Sequence, residues 1–214
     1  MSDAKRVRVG KILRKLKEVY GTEPWNWHTN QSPFRVLIGT VLSQRTKDEK
    51  TDEAAQALFS RYPSPRQIAD APLKNLENII RTVNYYKTKA QRIKEICQVL
   101  LEKYSAEVPA SVEELLKLPG VGRKTASCVM VYGFKKPAIA VDTHVHRICN
   151  RTGIVNTKTA EETEQELWNI VPKKYILYLN ELFVKHGQNI CKPGKPLCFK
   201  CSIADLCKYQ HKNL

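Results

Sequence analysis

The sequence predicts an all-α protein. Apolar residues recur at helical spacing between proline breaks, Ser-Pro pairs and a Ser-x-x-Glu pattern mark helix starts, and no stretch alternates convincingly at period two. Mean helix length gives about ten helices joined by short loops for a chain of this size.

Lys11-Ile12-Leu13-Arg14-Lys15-Leu16 opens an amphipathic helix. Ser32-Pro33 supplies an N-cap with proline in the first turn and leads into Phe34-Arg35-Val36-Leu37-Ile38. Glu53 to Arg61 is the next helical stretch, Ser64-Pro65 repeats the start signal, and Leu73 to Thr82 and Lys87 to Tyr104 keep the period. Ser111-Val112-Glu113-Glu114 has the form of a capping box, in which serine and glutamate satisfy each other's backbone N–H groups. Arg123 to Gly133, Thr143 to Thr152, Glu161 to Ile170 and Tyr175 to Gly187 complete the set, with no internal repeat or low-complexity segment.

A chain of 214 residues makes one compact domain or two small ones. Hydrophobic residues are 42% and charged residues 27%, enough apolar material for a core and too little bias for disorder. No run approaches the roughly 18 apolar residues of a membrane span, and polar, basic Met1 to Arg8 lacks the apolar segment of a signal peptide behind it. A cytoplasmic protein with no membrane-spanning segment is expected. Lys and Arg number 36 against 21 Asp and Glu, a formal charge of +15 that favours a polyanion without separating DNA from RNA or a membrane surface. Seven basic side chains fall within residues 1–17 against Asp3 alone, equally a solvated helix face or a phosphate-contacting arm. Seven more (Lys117, Arg123, Lys124, Lys135, Lys136, Arg147, Arg151) fall within residues 117–151 against Asp142 alone, interleaved with glycines and a helix start.

The seven cysteines divide into two groups. Cys97, Cys128 and Cys149 stand alone in apolar helical patterns and read as small buried hydrophobes. Cys191, Cys198, Cys201 and Cys207 follow the spacing C-x6-C-x2-C-x5-C in a loop rich in Pro, Gly and Lys. In a reducing compartment such a cluster reads as a metal or cofactor site, whose binding energy becomes folding energy for a loop with little apolar content. The spacing alone permits tetrahedral zinc or a four-iron cluster.

Two segments carry candidate chemistry. Leu118-Pro119-Gly120-Val121-Gly122-Arg123-Lys124 places two glycines between helices, so that backbone N–H groups can point outward at a helix start and bind phosphate. By itself Gly-x-Gly is equally a plain interhelical turn. Val141-Asp142-Thr143-His144-Val145-His146 sets an aspartate at a helix start, where the simplest role is an N-cap that could also face a cleft. His144 and His146 are two residues apart and face different ways, against a joint metal site.

The hairpin, the Val141 to His144 segment and the four-cysteine loop, in this order and at these separations, resemble the endonuclease III family of the helix-hairpin-helix DNA glycosylases, from about Pro33 to the C-terminus. The resemblance implies that Gly120, Val121, Gly122 and Arg123 grip a DNA backbone phosphate, with a monovalent cation at the hairpin. It implies that the four cysteines hold a [4Fe-4S] cluster, and on that ground iron–sulfur is preferred to zinc. It implies Lys124 and Asp142 as the catalytic pair, a six-helix barrel domain over residues 22–135, a cluster domain joining residues 1–21 to 136–214, and an active cleft between the two. The activity implied is base-excision removal of oxidised pyrimidines, with strand cleavage through a lysine Schiff base, by a monomer acting on double-stranded DNA with damaged or abasic sites.

The residue types suit that chemistry. The positive helix end and neighbouring Arg123 disfavour an ammonium at Lys124, which predicts more neutral amine for attack on the sugar. Leu42 to Asp48 resembles the family's loop that enters DNA at the lesion, and departs from the Ala-Gln-Ala-Thr common among bacterial relatives at Gln44-Arg45-Thr46-Lys47. Gln44 or Arg45 would fill the space left by a flipped base, Gln44 ahead of Arg45. Tyr85-Tyr86-Lys87 reads first as buried packing at a helix start and second as an aromatic at the lesion. Lys192, Lys195, Lys200, Lys208 and Lys212 read as a basic DNA contact held by the cysteine loop. Two other readings share the motifs: a mismatch glycosylase for adenine, thymine or uracil, and a non-catalytic DNA-binding iron–sulfur protein.

Overall fold

A computed structural model describes residues 3–21 and 31–213. Among the described residues there are eleven α-helices and no strand, as the sequence predicts. In chain order these are α1 (Asp3–Tyr20), α2 (Pro33–Ser43), α3 (Asp48–Arg61), α4 (Pro65–Asp70), α5 (Leu73–Ile79), α6 (Tyr86–Lys103), α7 (Val112–Leu115), α8 (Arg123–Cys128), α9 (Thr143–Arg151), α10 (Ala160–Ile170) and α11 (Ile176–Asn189). The chain forms two compact units: a middle unit, Trp25–Lys136, and an end unit, Met1–Pro24 with Pro137–Leu214. The sequence-expected break between residues 21 and 22 falls at the edge of the undescribed residues 22–30. No described helix is long and apolar enough to cross a membrane.

The middle unit is organised around α2. Ser32 caps it by accepting from the Arg35 N–H, Pro33 occupies its first turn, and nearly every residue from Phe34 to Leu42 is buried. A helix apolar on all sides belongs in an interior, and each fully buried large side chain here stabilises by roughly 1.5–3 kcal/mol. Around α2 pack α3, α6, α8 and a π-helical turn, while α4 and α5 lie on α6. Ser64 and Gln67 close a capping box at α4. Two lysines of α6 bind the ends of other helices: Lys94 donates to the carbonyls of Ala69 and Ala71, and Lys89 to those of Leu42 and Gln44.

The end unit buries Val9, Ile12, Leu13 and Leu16 of α1 against Val145, Ile148 and Cys149 of α9, Leu167 and Ile170 of α10, and Leu179, Leu182 and Phe183 of α11. Residues 138–141 are buried and lead, outside any helix, into α9, and the Asn180 side chain donates to the Ala140 carbonyl at 2.9 Å. Ile203, Cys191 and Cys201 extend the same core into the cysteine loop.

Five local expectations change. α1 begins at Asp3 and α3 at Asp48, each well before its predicted start. Ser111 caps α7 by accepting from the Glu114 N–H, but Glu114 turns its carboxylate to the Tyr104 hydroxyl and the Lys117 ammonium, so the box does not close. The stretch Arg123 to Gly133 is not one α-helix: α8 passes at Val129 into a π-helical turn, with the Phe134 N–H donating to the Val129 carbonyl. Tyr85, read first as buried, is 64% exposed in left-handed backbone (φ 57°) at the start of α6, and only Tyr86 is half-buried.

Candidate active site and cysteine centre

In the hairpin between α7 and α8 the side chains of Leu118 and Val121 are buried and pin the turn, while Gly120 and Gly122 are exposed. Gly120 carries the left-handed backbone (φ 68°), and a Cβ there would meet the Arg92 side chain at 2.5 Å. Gly122 differs: it caps α8 in extended backbone, and a Cβ on it would meet nothing within 4 Å. Its missing side chain leaves open space over the first turn of α8, where backbone N–H groups end without a side-chain cap. Arg123 and Lys124 are the first two residues of α8, and both are exposed.

The loop after α2 is joined to this hairpin. The Gln44 amide donates to the Gly120 carbonyl and the Thr125 hydroxyl, each at 3.4 Å, so two separately predicted segments meet within the middle unit. Arg45 adopts left-handed backbone (φ 53°) with its side chain exposed.

In the end unit Asp142 is half-buried and caps α9, its Oδ1 accepting from the His144 and Val145 N–H groups, both at 2.9 Å. The simple N-cap role is therefore real, and both cap bonds end on one carboxylate oxygen. His144 reaches Arg147 and His146 reaches Thr163, so the two imidazoles diverge as expected.

Cys191, Cys198, Cys201 and Cys207 line one cavity, walled by Ile148, Ile190, Pro196 and Ile203. Burial pushes the Cys201 thiol up to about 11 and raises that of Cys207. The Cys207 sulfur accepts from the Tyr209 N–H at 3.4 Å. Among the described residues no three His, Cys, Asp or Glu donors converge as closely as one metal ion needs. Cys97, Cys128 and Cys149 are buried in helix packing, as their apolar surroundings predict.

Periodicity gives no sign of what holds this loop. Arg147 donates through Nε (3.1 Å) and Nη2 (2.8 Å) to the Cys191 carbonyl, and Arg151 through Nη1 to the Lys192 carbonyl at 2.7 Å. Their spacing of four along α9 was the available signal: one helix face carries two guanidinium groups. Much of the clustered charge is thus internal. Lys117 pairs with Glu114, Lys135 donates to the Tyr132 carbonyl, and in α1 Lys5 pairs with Glu166 and Lys15 with Asp205. Lys192, Lys195, Lys200 and Lys208 of the cysteine loop are exposed, whereas Lys212 donates to the Ala204 carbonyl.

The sequence profile of the HhH-GPD superfamily base excision DNA repair proteins matches residues 38–173. The endonuclease III of Thermotoga maritima is 50% identical over 196 residues, 92% of each chain. That of Escherichia coli K12 is 36% identical over 212 residues, 99% of each chain. A solved structure of a trapped endonuclease III–DNA covalent intermediate, an estranged-adenine complex, superposes with a TM-score of 0.87 at 34% identity, over 95% of both chains. A thermostable thymine-DNA glycosylase superposes with a TM-score of 0.86 at 27% identity, over 97% of both. The chain belongs to the endonuclease III family of base-excision DNA glycosylases with AP-lyase activity, within the HhH-GPD superfamily.

Proposed function

We propose that this chain excises oxidised pyrimidines from duplex DNA and then cuts the strand at the abasic site, with Lys124 as nucleophile and Asp142 as the carboxylate that serves it. The carrying observation is Lys124 itself, an exposed amine on the second residue of α8, directly after the open backbone of Gly122, in a chain of this family. A phosphate seated over Gly120 to Arg123 would fix the strand beside that amine. A monovalent cation at the hairpin belongs to the same proposal. The target nucleotide must leave the stack to be reached, at a cost of a few kcal/mol that a damaged base lowers.

Once neutral, the Lys124 amine attacks C1′, and the bond from C1′ to the base breaks with the electron pair leaving on the base. Loss of the amine proton, accepted by Asp142, and opening of the sugar ring give a Schiff base on Lys124. The iminium acidifies the C2′ proton. Its removal drives β-elimination, which breaks the C3′–O bond and cuts the strand on the 3′ side. Of the two candidates on the loop tied to the hairpin, Gln44, ahead of Arg45, is the side chain that fills the vacated space.

The cysteine centre fits a [4Fe-4S] cluster in its donor set: four thiols around one apolar-walled cavity, on a loop whose carbonyls Arg147 and Arg151 hold. When bound, the cluster supplies four iron–thiolate bonds that stiffen the loop, and the exposed Lys192, Lys195, Lys200 and Lys208 become a rigid basic contact for DNA. Anaerobically purified protein is expected to be brown, with iron and sulfide in equal amounts, and Cys201→Ser to lose colour and thermal stability together. Colourless protein with stoichiometric zinc would reverse the assignment.

Substrate class is tested with single-lesion duplexes carrying thymine glycol, dihydrouracil, 5-hydroxycytosine, uracil or a G·T mismatch. Cleavage of the first three, with the G·T duplex left intact, is the expected result. Preference for G·T or uracil would move the chain to the mismatch reading, to which the likeness to a thymine-DNA glycosylase gives its own weight.

A further inference from the structure

Lys89 is a buried cation of the middle unit, 3% exposed, and its ammonium is engaged by the loop after α2. Nζ donates to the carbonyl of Leu42 at 2.6 Å, the carbonyl of Gln44 at 2.6 Å and the hydroxyl of Thr46 at 2.8 Å. Three ammonium protons meet three acceptors, all between residues 42 and 46. Among the described residues these partners are neutral dipoles, not a carboxylate. Burying a charge without a counter-charge is costly, and burial with nearby Arg92 lowers the Lys89 pKa to about 8. Fold stability alone gives little reason for such a group, since an apolar side chain of similar volume commonly serves as well or better.

The ammonium holds a segment whose backbone is unfavourable on its own. Arg45 sits in left-handed backbone (φ 53°), a conformation that a residue with a long side chain rarely adopts. Asn84 pins it from a second side, donating through Nδ2 to the Arg45 carbonyl at 2.6 Å and through its backbone N–H to the Thr46 hydroxyl at 3.2 Å. Residues 42 to 46 are therefore over-determined by two residues some 40 positions away, and the outcome is that Gln44 and Arg45 line one cavity with Tyr85 and Arg92.

We infer that Lys89 is a positioning residue for lesion readout: its ammonium fixes the backbone from Leu42 to Thr46 so that Gln44 and Arg45 meet the duplex in one geometry. The inference rests on the proposed entry of this loop at the lesion. Lys89 spends its three bonds on the loop from Leu42 to Thr46, so its effect falls on expelling a base and not on cutting a site already vacated.

The test compares single-turnover rates on two duplexes, one with thymine glycol and one with a preformed abasic site at the same position. Lys89→Met keeps the volume and removes the charge and its three bonds. Excision of thymine glycol is expected to fall about tenfold or more while cleavage at the abasic site falls less than about threefold, because misplaced contacts act on the step that needs them. Lys94→Met, which removes a lysine with the same helix-end role at α4, should leave the ratio of the two rates unchanged. Thr46→Val and Asn84→Ala loosen the same loop from partly exposed positions and should shift the ratio in the same direction, deciding the matter if Lys89→Met does not fold. Rates that fall in parallel, or a ratio equal to that of Lys94→Met, overturn the inference. Gln44→Ala and Arg45→Ala separate the two levels: if neither alters the ratio, the loop reading fails and the inference with it. If they alter it and the Lys89, Thr46 and Asn84 variants do not, the inference alone fails.

Discussion

Lys124→Gln is expected to lower strand cleavage at abasic sites by roughly ten-thousandfold or more, and to abolish the adduct trapped by borohydride, because no other group takes over a missing nucleophile efficiently. Glutamine suits the position structurally. It is a good helix former, close to lysine in length, and Lys124 lies on the exposed side of the first turn of α8, so the fold should be untouched. Binding to a duplex with an abasic analogue should persist, since the hairpin backbone and Arg123 remain. Cleavage kept at a tenth of the wild-type rate would mean that another amine does the chemistry.

Asp142→Asn should lower the single-turnover rate by about a hundredfold to ten-thousandfold with DNA affinity within a few-fold of wild type. The substitution separates two roles that one carboxylate combines. Asparagine is as good an N-cap as aspartate, and its carbonyl oxygen can accept from the His144 and Val145 N–H groups as Oδ1 does now. The start of α9 is thereby preserved and only the charge and basicity are lost. Asp142→Ala removes the cap too and should lower stability by about 1 kcal/mol more than Asp142→Asn, readable as a lower melting temperature. If Asp142→Asn loses affinity while the rate per bound complex stays intact, the cap is the whole role. Because Lys124 and Asp142 are assigned to one reaction, the double variant should be no slower than Lys124→Gln alone.

The sequence carries the local part of this structure and conceals the long-range part. Ser32-Pro33 and Ser64-Pro65 mark α2 and α4 because capping is chemistry between neighbours. The limits of that rule show in two matching patterns. Thr159 and Glu162 close a capping box at α10, while Ser111 and Glu114 do not, because Tyr104 and Lys117 compete for the Glu114 carboxylate. α3 begins early because Asp48 and Glu49 favour a helix start without any side-chain cap from Lys47, a weaker signal than serine followed by proline. The candidate site divides similarly. The hairpin, Lys124, Asp142 and the four cysteines lie in short segments with their own chemistry, so residue type and spacing display them. Lys89, Asn84, Arg147 and Arg151 act by donating to backbone carbonyls about 40 residues away, and a carbonyl acceptor leaves no mark in the sequence. The same blindness inflates the charge reading: Lys5, Lys15, Arg147 and Arg151 count toward +15 yet are engaged inside the end unit.

One lysine both releases the base and opens the strand in this mechanism, and borohydride reduction during incubation with a duplex carrying a single thymine glycol, followed by mass mapping of the cross-linked peptide, tests it. The expected result is a covalent protein–DNA adduct, formed in step with base release and located at Lys124. Base release with no adduct, or an adduct on a different amine, would contradict it.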